Sequence, residues 1–368
     1  MLTIRYYRSS DHEIWDNYVR NHPNGTLYHL SGWKNVIEKT YGHKSYYLMA
    51  LANSNNLSNP TNHDNCIVGI LPLVHMKHFL FGNSLVSIPF FDTGGILADD
   101  EETERFLLSH AVKLAQELKA KTIEFRHIEP LPWFNSEDLN EIMQNCRFRT
   151  LSHKVRMLLT LPESPEILMK SFKSKLRSQI RKPLKEGLIS RIGRSELLCD
   201  FYEVFSKNMR DLGSPVHSKK LMGHALKEFS DKASIVIIYK DKKPIACSFI
   251  VGFGKILENP WASALRKCSR LAPNMLLYWT MLEYACNHGY SSFDFGRSSP
   301  DEGTYKFKKQ WGAKPRPLHW HYISLNGQVF DEQSSEKSKF AKAIHYWQKL
   351  PVSLTKIIGP PIRKHIGL

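Results

Sequence analysis

No run of about 18 or more apolar residues occurs in this chain, so no segment reads as a membrane-spanning helix. Cysteine is sparse and scattered: Cys66, Cys146, Cys199, Cys247, Cys268 and Cys286 contain no Cys-x-x-Cys pair. That spacing excludes the common zinc folds and gives no disulfide framework, so no metal is expected. Acidic residues are in short supply, with 35 Asp and Glu against 51 Lys and Arg and a formal net charge of +16. The imbalance favours anionic partners such as phosphate-bearing substrates, RNA or an acidic membrane surface, and DNA is not expected among them. The start, Met1-Leu2-Thr3-Ile4-Arg5-Tyr6-Tyr7-Arg8, lacks the apolar core of a signal peptide, and cytoplasm is the expected location.

What is present is the composition of a globular protein: 368 residues, 42% hydrophobic, 11% aromatic and 23% charged. That length accommodates two domains. Short alternating runs and helical periods interleave throughout, so the fold class is mixed α/β (α+β). Boundaries are expected at 1–160, 161–332 and a basic helical tail at 333–368. Strands are read at 2–7, 45–52, 66–80, 84–90, 121–126 and 153–160 in the first half. In the second they fall at 235–239, 245–253, 256–262, 291–296 and 317–324. Asn53 to Asn65 reads as a polar loop. Pro273-Asn274 opens a helix that Gly289 closes. In the tail, Phe340, Ile344 and Trp347 share a helix face that either docks on the body or lies on a membrane surface.

Two constellations stand out, the first on a basic helix read over about 165–186. Across 170–194, Lys173, Arg177, Arg181 and Lys185 recur every four residues beside an apolar stripe of Phe172, Leu176, Ile180 and Leu184. Like charges at that spacing mildly destabilise a helix, and such a ridge suits a diphosphate or an RNA backbone. Pro183 is expected to kink or end the helix. The second is Phe293-Asp294-Phe295-Gly296-Arg297-Ser298, followed by Tyr305-Lys306-Phe307-Lys308-Lys309-Gln310-Trp311-Gly312. Here a strand ends among cations. Arg297 either pairs with Asp294 or meets substrate, and in an extended segment Lys306 and Lys308 would share a side. A lysine held over a developing oxyanion suits acyl transfer. His75 and His78 fall on opposite strand faces, which is poor metal geometry. Asp92, ahead of Gly94-Gly95, is either a cleft residue or ordinary turn chemistry.

These segments, with Trp33, Thr40-Tyr41-Gly42-His43, Ile88-Pro89-Phe90, Trp261-Ala262-Ser263 and Gly289-Tyr290, resemble the Fem-type branch of the GNAT acyltransferases. The likeness is greatest to FemAB-like proteins of PEP-CTERM/exosortase and exopolysaccharide systems. It implies two tandem GNAT-like domains packed together; the coiled-coil arm of some cell-wall ligases is not expected, because no heptad run of useful length occurs. It also implies transfer of an acyl or aminoacyl group to an amine on a cell-envelope or exopolysaccharide precursor. By motif position Lys308 would stabilise the transition state, with Arg297 and Asp294 beside it. Arg177, Arg181, Lys173, Lys306, Tyr305, Trp33 and Asp92 would contact substrate, a phosphate-bearing or lipid-linked precursor. The position where some relatives carry a precursor-binding lysine is Ile37 here. Acetyl-CoA-dependent relatives place a glycine-rich turn before the helix that corresponds to 274–288. This chain has Leu265-Arg266-Lys267-Cys268-Ser269-Arg270-Leu271-Ala272-Pro273-Asn274 there. No bound cofactor is therefore expected; the donor would be a co-substrate, either aminoacyl-tRNA, an acyl carrier protein thioester or acyl-CoA. The rival expectation is a non-catalytic basic protein docking on RNA or anionic membrane.

Overall fold

A computed structural model describes residues 1–52, 66–136, 146–325 and 334–367. The polar stretch from Asn53 to Asn65 and the side chain of Phe340 lie outside them. The chain divides into two compact units: Met1–His153 with Pro317–Asp331 and His365–Leu368, and Lys154–Arg316 with Glu332–Lys364.

The first unit is built on strands β1 (Leu2–Tyr6), β2 (Lys44–Ala52), β3 (Cys66–His78), β4 (Gly82–Val86), β5 (Leu97–Ala98), β6 (Thr122–His127) and β7 (Arg147–Leu151). An eighth, His319–Ser324, comes from late in the chain; it is β15 in chain order. Among the described residues the order is β1-β2-β3-β4-β6-β15-β7, with β5 on β3, and β4 and β6 run parallel. Helices α1 (His12–Asn21), α2 (Gly32–Tyr41) and α3 (Glu101–Glu117) accompany it. Asp100 caps α3 by accepting from Thr103 N at 2.7 Å, and Glu101, Glu102 and Glu104 favour its positive end. The helix lays Leu107, Leu108, Ala111 and Ala115 against Leu71, Leu73, Leu85, Ile123 and Phe125 of the sheet.

The second unit carries β8 (Val155–Thr160), β9 (Ile189–Gly193), β10 (Ala233–Lys240), β11 (Lys243–Phe253), β12 (Ile256–Ala264), β13 (Ser292–Ser298) and β14 (Lys314–Pro317). Their order is β14-β8-β13-β12-β11-β10-β9. Its helices are α4 (Pro165–Ser171), α5 (Ser174–Lys185), α6 (Leu198–Leu212), α7 (Lys219–Glu228), α8 (Pro273–Asn287), α9 (Gly303–Lys309), α10 (Ser334–Lys349) and α11 (Val352–Arg363). Helices α6 and α8 cover the β10–β12 meander. The tail docks on α6: Gln348 donates to Asp211 O at 3.1 Å, and Arg210 donates to Leu350 O at 2.9 Å.

Two strands belong elsewhere than their sequence neighbourhood suggests. Val155–Thr160, read with the first half, pairs with β13 of the second unit, and His319–Ser324, read with the second half, pairs with β6 and β7. Alternation shows that a strand buries a face; its hydrogen-bond partner is set by tertiary contacts. The basic helix expected over 165–186 is two helices, because Phe172 and Lys173 adopt extended conformations between them. Pro183 neither ends nor replaces the last turn of α5. It is buried, while Leu184, expected on the core stripe, is 53% exposed.

Candidate active site

Strands β12 and β13 are parallel over three residue pairs, Ile256 with Ser292, Leu257 with Phe293 and Glu258 with Asp294, and then part. Just past that point β13 bulges on its other side, where its register against β8 shifts between Asp294 and Arg297. Gly296 makes the bulge at φ +76°, and an added Cβ would sit 3.3 Å from Asn259 O. Asp294 fixes it from within: Oδ1 accepts from Gly296 N at 2.8 Å, while Oδ2 takes Arg156 Nε at 2.9 Å and Nη2 at 2.7 Å. The expected alternative partner, Arg297, is half-buried and offers its carbonyl to the site.

Lys308 closes this arrangement. Its Nζ donates to Gly296 O at 2.9 Å and to Arg297 O at 2.7 Å, and the residue is only 7% exposed. The segment is helical, so Lys306 and Lys308 do not share a side; Lys306 and Lys309 do, one turn apart.

Two grooves flank α9. One, of about 800 Å³, is lined by Ala262, Ser263, Met275, Tyr278, Phe307 and Lys308, among others, at the opening between β12 and β13. Its lining includes Pro273 and Asn274, the first turn of α8, and basic Lys182 and Arg266. No carboxylate or imidazole is among those lining residues. Tyr278 stacks on Phe295 at 5.3 Å, and burial pushes its phenol up to about 12 despite a hydrogen bond with Asn259, so it stays protonated at neutral pH. Asn208 on α6 donates to Ser263 Oγ at 2.9 Å across the groove wall. Neither Tyr278 nor Asn208 stood out in the sequence. Helix α8 is apolar almost all round, leaving no polar face to flag its tyrosine.

The other groove, of about 940 Å³, has an apolar floor including Leu168, Phe172, Leu176 and Trp311, with Lys173, Lys175, Lys306 and Lys309 around it. Gln179 and Gln310 line both grooves. The cationic contribution differs from the ridge drawn from the sequence. Arg177 turns back to donate to Phe172 O at 2.8 Å and Lys170 O at 3.3 Å, closing the elbow between α4 and α5. Arg181 is exposed and lines neither groove. Tyr305 is half-buried, with Lys309 Nζ 5.8 Å from its ring centre.

The remaining two candidates lie in the first unit. Trp33 is fully buried; its indole donates to Leu27 O at 3.0 Å and packs on Phe91 at 4.3 Å, as a core residue does. Asp92 is half-buried, and its carbonyl accepts from Trp320 Nε1 at 3.1 Å. The Gly94-Gly95 pair beside it serves close approach to an imidazole, since a Cβ on Gly95 would fall 2.4 Å from His127 Nε2. Among the described residues no group of three or more His, Cys, Asp or Glu is placed to hold a metal ion.

Residues 170–309 match the acetyltransferase (GNAT) domain family. No curated protein matches the sequence. Among solved structures, FemX is similar at TM-score 0.63 and 16% identity over 86% of this chain and 96% of that one. A tandem GNAT protein from the clavulanic acid biosynthesis pathway gives TM-score 0.52 and 11% identity, covering 90% and 100%. The C-terminal domain (DUF2156) of an Agrobacterium fabrum protein named as a lysylphosphatidylglycerol synthetase gives TM-score 0.52 and 12% identity, covering 91% and 95%. At these identities the likeness is one of fold: two mixed α/β units in tandem, consistent with GNAT-like domains, with residues 170–309 of the second unit being the stretch that matches the family model. No described helix is long and apolar enough to cross a membrane.

Proposed function

We propose that the second unit is an N-acyltransferase whose reaction takes place in the groove between β12 and β13. The acyl group, or aminoacyl group, passes from an activated ester or thioester to an amine on a phosphate-bearing cell-envelope or exopolysaccharide precursor. The observation that carries this reading is Lys308, a buried ammonium fixed by two carbonyls at the opening of a GNAT-type strand pair. As the amine attacks the acyl carbonyl, negative charge develops on its oxygen, and a pre-positioned cation lowers that barrier. The tetrahedral intermediate then expels the donor's oxygen or sulfur. Tyr278, held protonated by burial, is placed to supply the leaving group's proton. With no carboxylate or imidazole lining the groove to act as a general base, the amine attacks in its neutral form, and the proton its nitrogen sheds after attack passes to water.

The lysine-rimmed groove on the other face of α9 supports a phosphate-bearing acceptor, with Lys173 and Lys306 as its contacts in place of Arg177. The donor class follows from the basic lining, Lys182 and Arg266, near the α8 start: an acyl group on an anionic carrier. Aminoacyl-tRNA, acyl carrier protein and acyl-CoA all satisfy that description. The lysylphosphatidylglycerol synthetase, as named, favours the aminoacyl form, and the proposed location is the cytoplasmic face of the envelope. Incubating the purified full chain with labelled acyl groups on each carrier, and with nucleotide-linked and lipid-linked amino sugars as acceptors, tests it. A labelled amide with one carrier is the expected product. No amide from any combination would leave only a binding role.

A further inference from the structure

The hairpin from β3 to β4 ends in Phe79-Leu80-Phe81, whose side chains are 89%, 73% and 45% exposed. Phe81 stacks on His365 at 6.1 Å, while Phe79 and Leu80 are left largely to solvent, an exposure that packing inside this unit does not require. The His78 ring touches both phenylalanines, 4.6 Å from Phe79 and 5.1 Å from Phe81, and packs on His365 at 4.2 Å at the base of the tip.

Cations surround the base of this tip. Lys77 faces Asn83 across the hairpin, and Asn83 in turn donates to Lys119 O at 2.7 Å and accepts from Lys121 N at 2.8 Å. Lys119 and Lys121 therefore stand directly behind the turn. Lys44, in register with His75, lies at the same end of the sheet. So does Arg147, in register with Ser324, which itself faces Thr122. All five cations are exposed, against Glu117 in the last turn of α3.

We propose that this tip is a wedge that enters the interface of an anionic phospholipid bilayer, with the basic collar resting on the headgroups. The size of the patch decides for a bilayer over a protein partner. Three such side chains cover roughly 450 Å², short of the roughly 800 Å² per partner in a standard protein interface. A bilayer needs no matching surface; a few inserted apolar side chains and several nearby lysines are enough. Membrane contact made this way uses only the first unit and is independent of any transfer chemistry.

The full chain should co-sediment with vesicles of phosphatidylcholine and phosphatidylglycerol, and far less with phosphatidylcholine alone. Replacing the tip (Phe79→Ser, Leu80→Ser and Phe81→Ser together) should lower partition by about tenfold or more, and Lys77→Glu with Lys121→Glu by at least about fivefold. A separate Leu80→Trp variant reports insertion directly, because its emission should shift to the blue on mixed vesicles. A wild-type chain that stays in the supernatant, a tip variant that sediments like wild type, or an unshifted Leu80→Trp emission would each overturn the wedge.

Discussion

At Lys308 the ammonium nitrogen is held between the carbonyl oxygens of Gly296 and Arg297, so its charge cannot swing into solvent as that of a surface lysine does. The same two bonds give the residue a structural share: truncation to alanine would orphan two carbonyls as well as remove the cation. Any test of its chemistry must therefore read kcat and stability separately. Tyr278 is simpler, because it lines the groove while its ring does the packing against Phe295 and Phe307. Tyr278→Phe is expected to keep the fold and lower kcat by about 10²-fold, most for donors with poor leaving groups, as loss of a general acid does. A kcat within a factor of about two for every donor would remove Tyr278 from the mechanism. Sequence made the lysine legible through its motif neighbours, Phe307 and Trp311. It hid the tyrosine, since in a helix buried on all sides a phenol looks like any other core residue.

At the scale of elements, the bulge of β13 is what turns a strand end into a site. Asp294 and Arg156 are nearly buried, with side-chain exposures of 7% and 12%, and their pair fixes the Gly296 peptide. Asp294 thus works by shaping the strand that Lys308 grips. Asp294→Ala would strand the Arg156 charge and is expected to destabilise the second unit by about 3 kcal/mol, the scale for breaking a buried pair. Denaturant unfolding measures this; a change below about 0.5 kcal/mol would show that the bulge holds without it. The motif Phe-Asp-Phe-Gly-Arg was readable as a strand ending in glycine, but the identity of the partner on β8 was not, because Arg156 is 138 residues away in sequence. Arg177 shows the converse limit. Its spacing with Arg181 pointed outward to an anion, yet the break at Phe172 leaves carbonyls that it turns back to cap. Side-chain periodicity is reliable only while the helix continues, and here it does not.

At the scale of the molecule, two GNAT-like units were legible from repeated element order, and the owners of two strands were not. β8 alternates buried and more exposed positions, which fits either sheet equally well, and β15 is buried at four of its six positions, which names no partner either. Only the backbone pairing assigns them. The first unit also carries a pH dependence of its own. His29 is buried and neutral: Nδ1 accepts from Thr26 N at 3.1 Å, the other ring nitrogen is bonded to Gly95 O at 3.1 Å, and burial lowers its pKa to about 4. The unfolded chain takes up that proton near the ordinary value of 6.5, whereas the folded imidazole refuses it until about pH 4. Its stability share is thus complete above 6.5 and is lost as the pH falls to 4, on the order of 3 kcal/mol. His127 and His321, likewise pushed down by burial, add to the same slope. Thermal unfolding between pH 7 and 4 should show the loss, and His29→Gln, which can keep both bonds, should flatten it. A first unit equally stable across that range would contradict the buried neutral imidazole.

The measurement that bears most directly on acyl transfer through the β12–β13 groove is single-turnover kinetics of the full chain and of Lys308→Met, with the active donor and acceptor and with thermal midpoints recorded alongside. The expected result is a folded variant whose transfer rate falls about 10²–10³-fold while its apparent donor affinity changes by less than about threefold, the pattern of an interaction made in the transition state. A folded Lys308→Met protein that transfers at the wild-type rate would contradict the account.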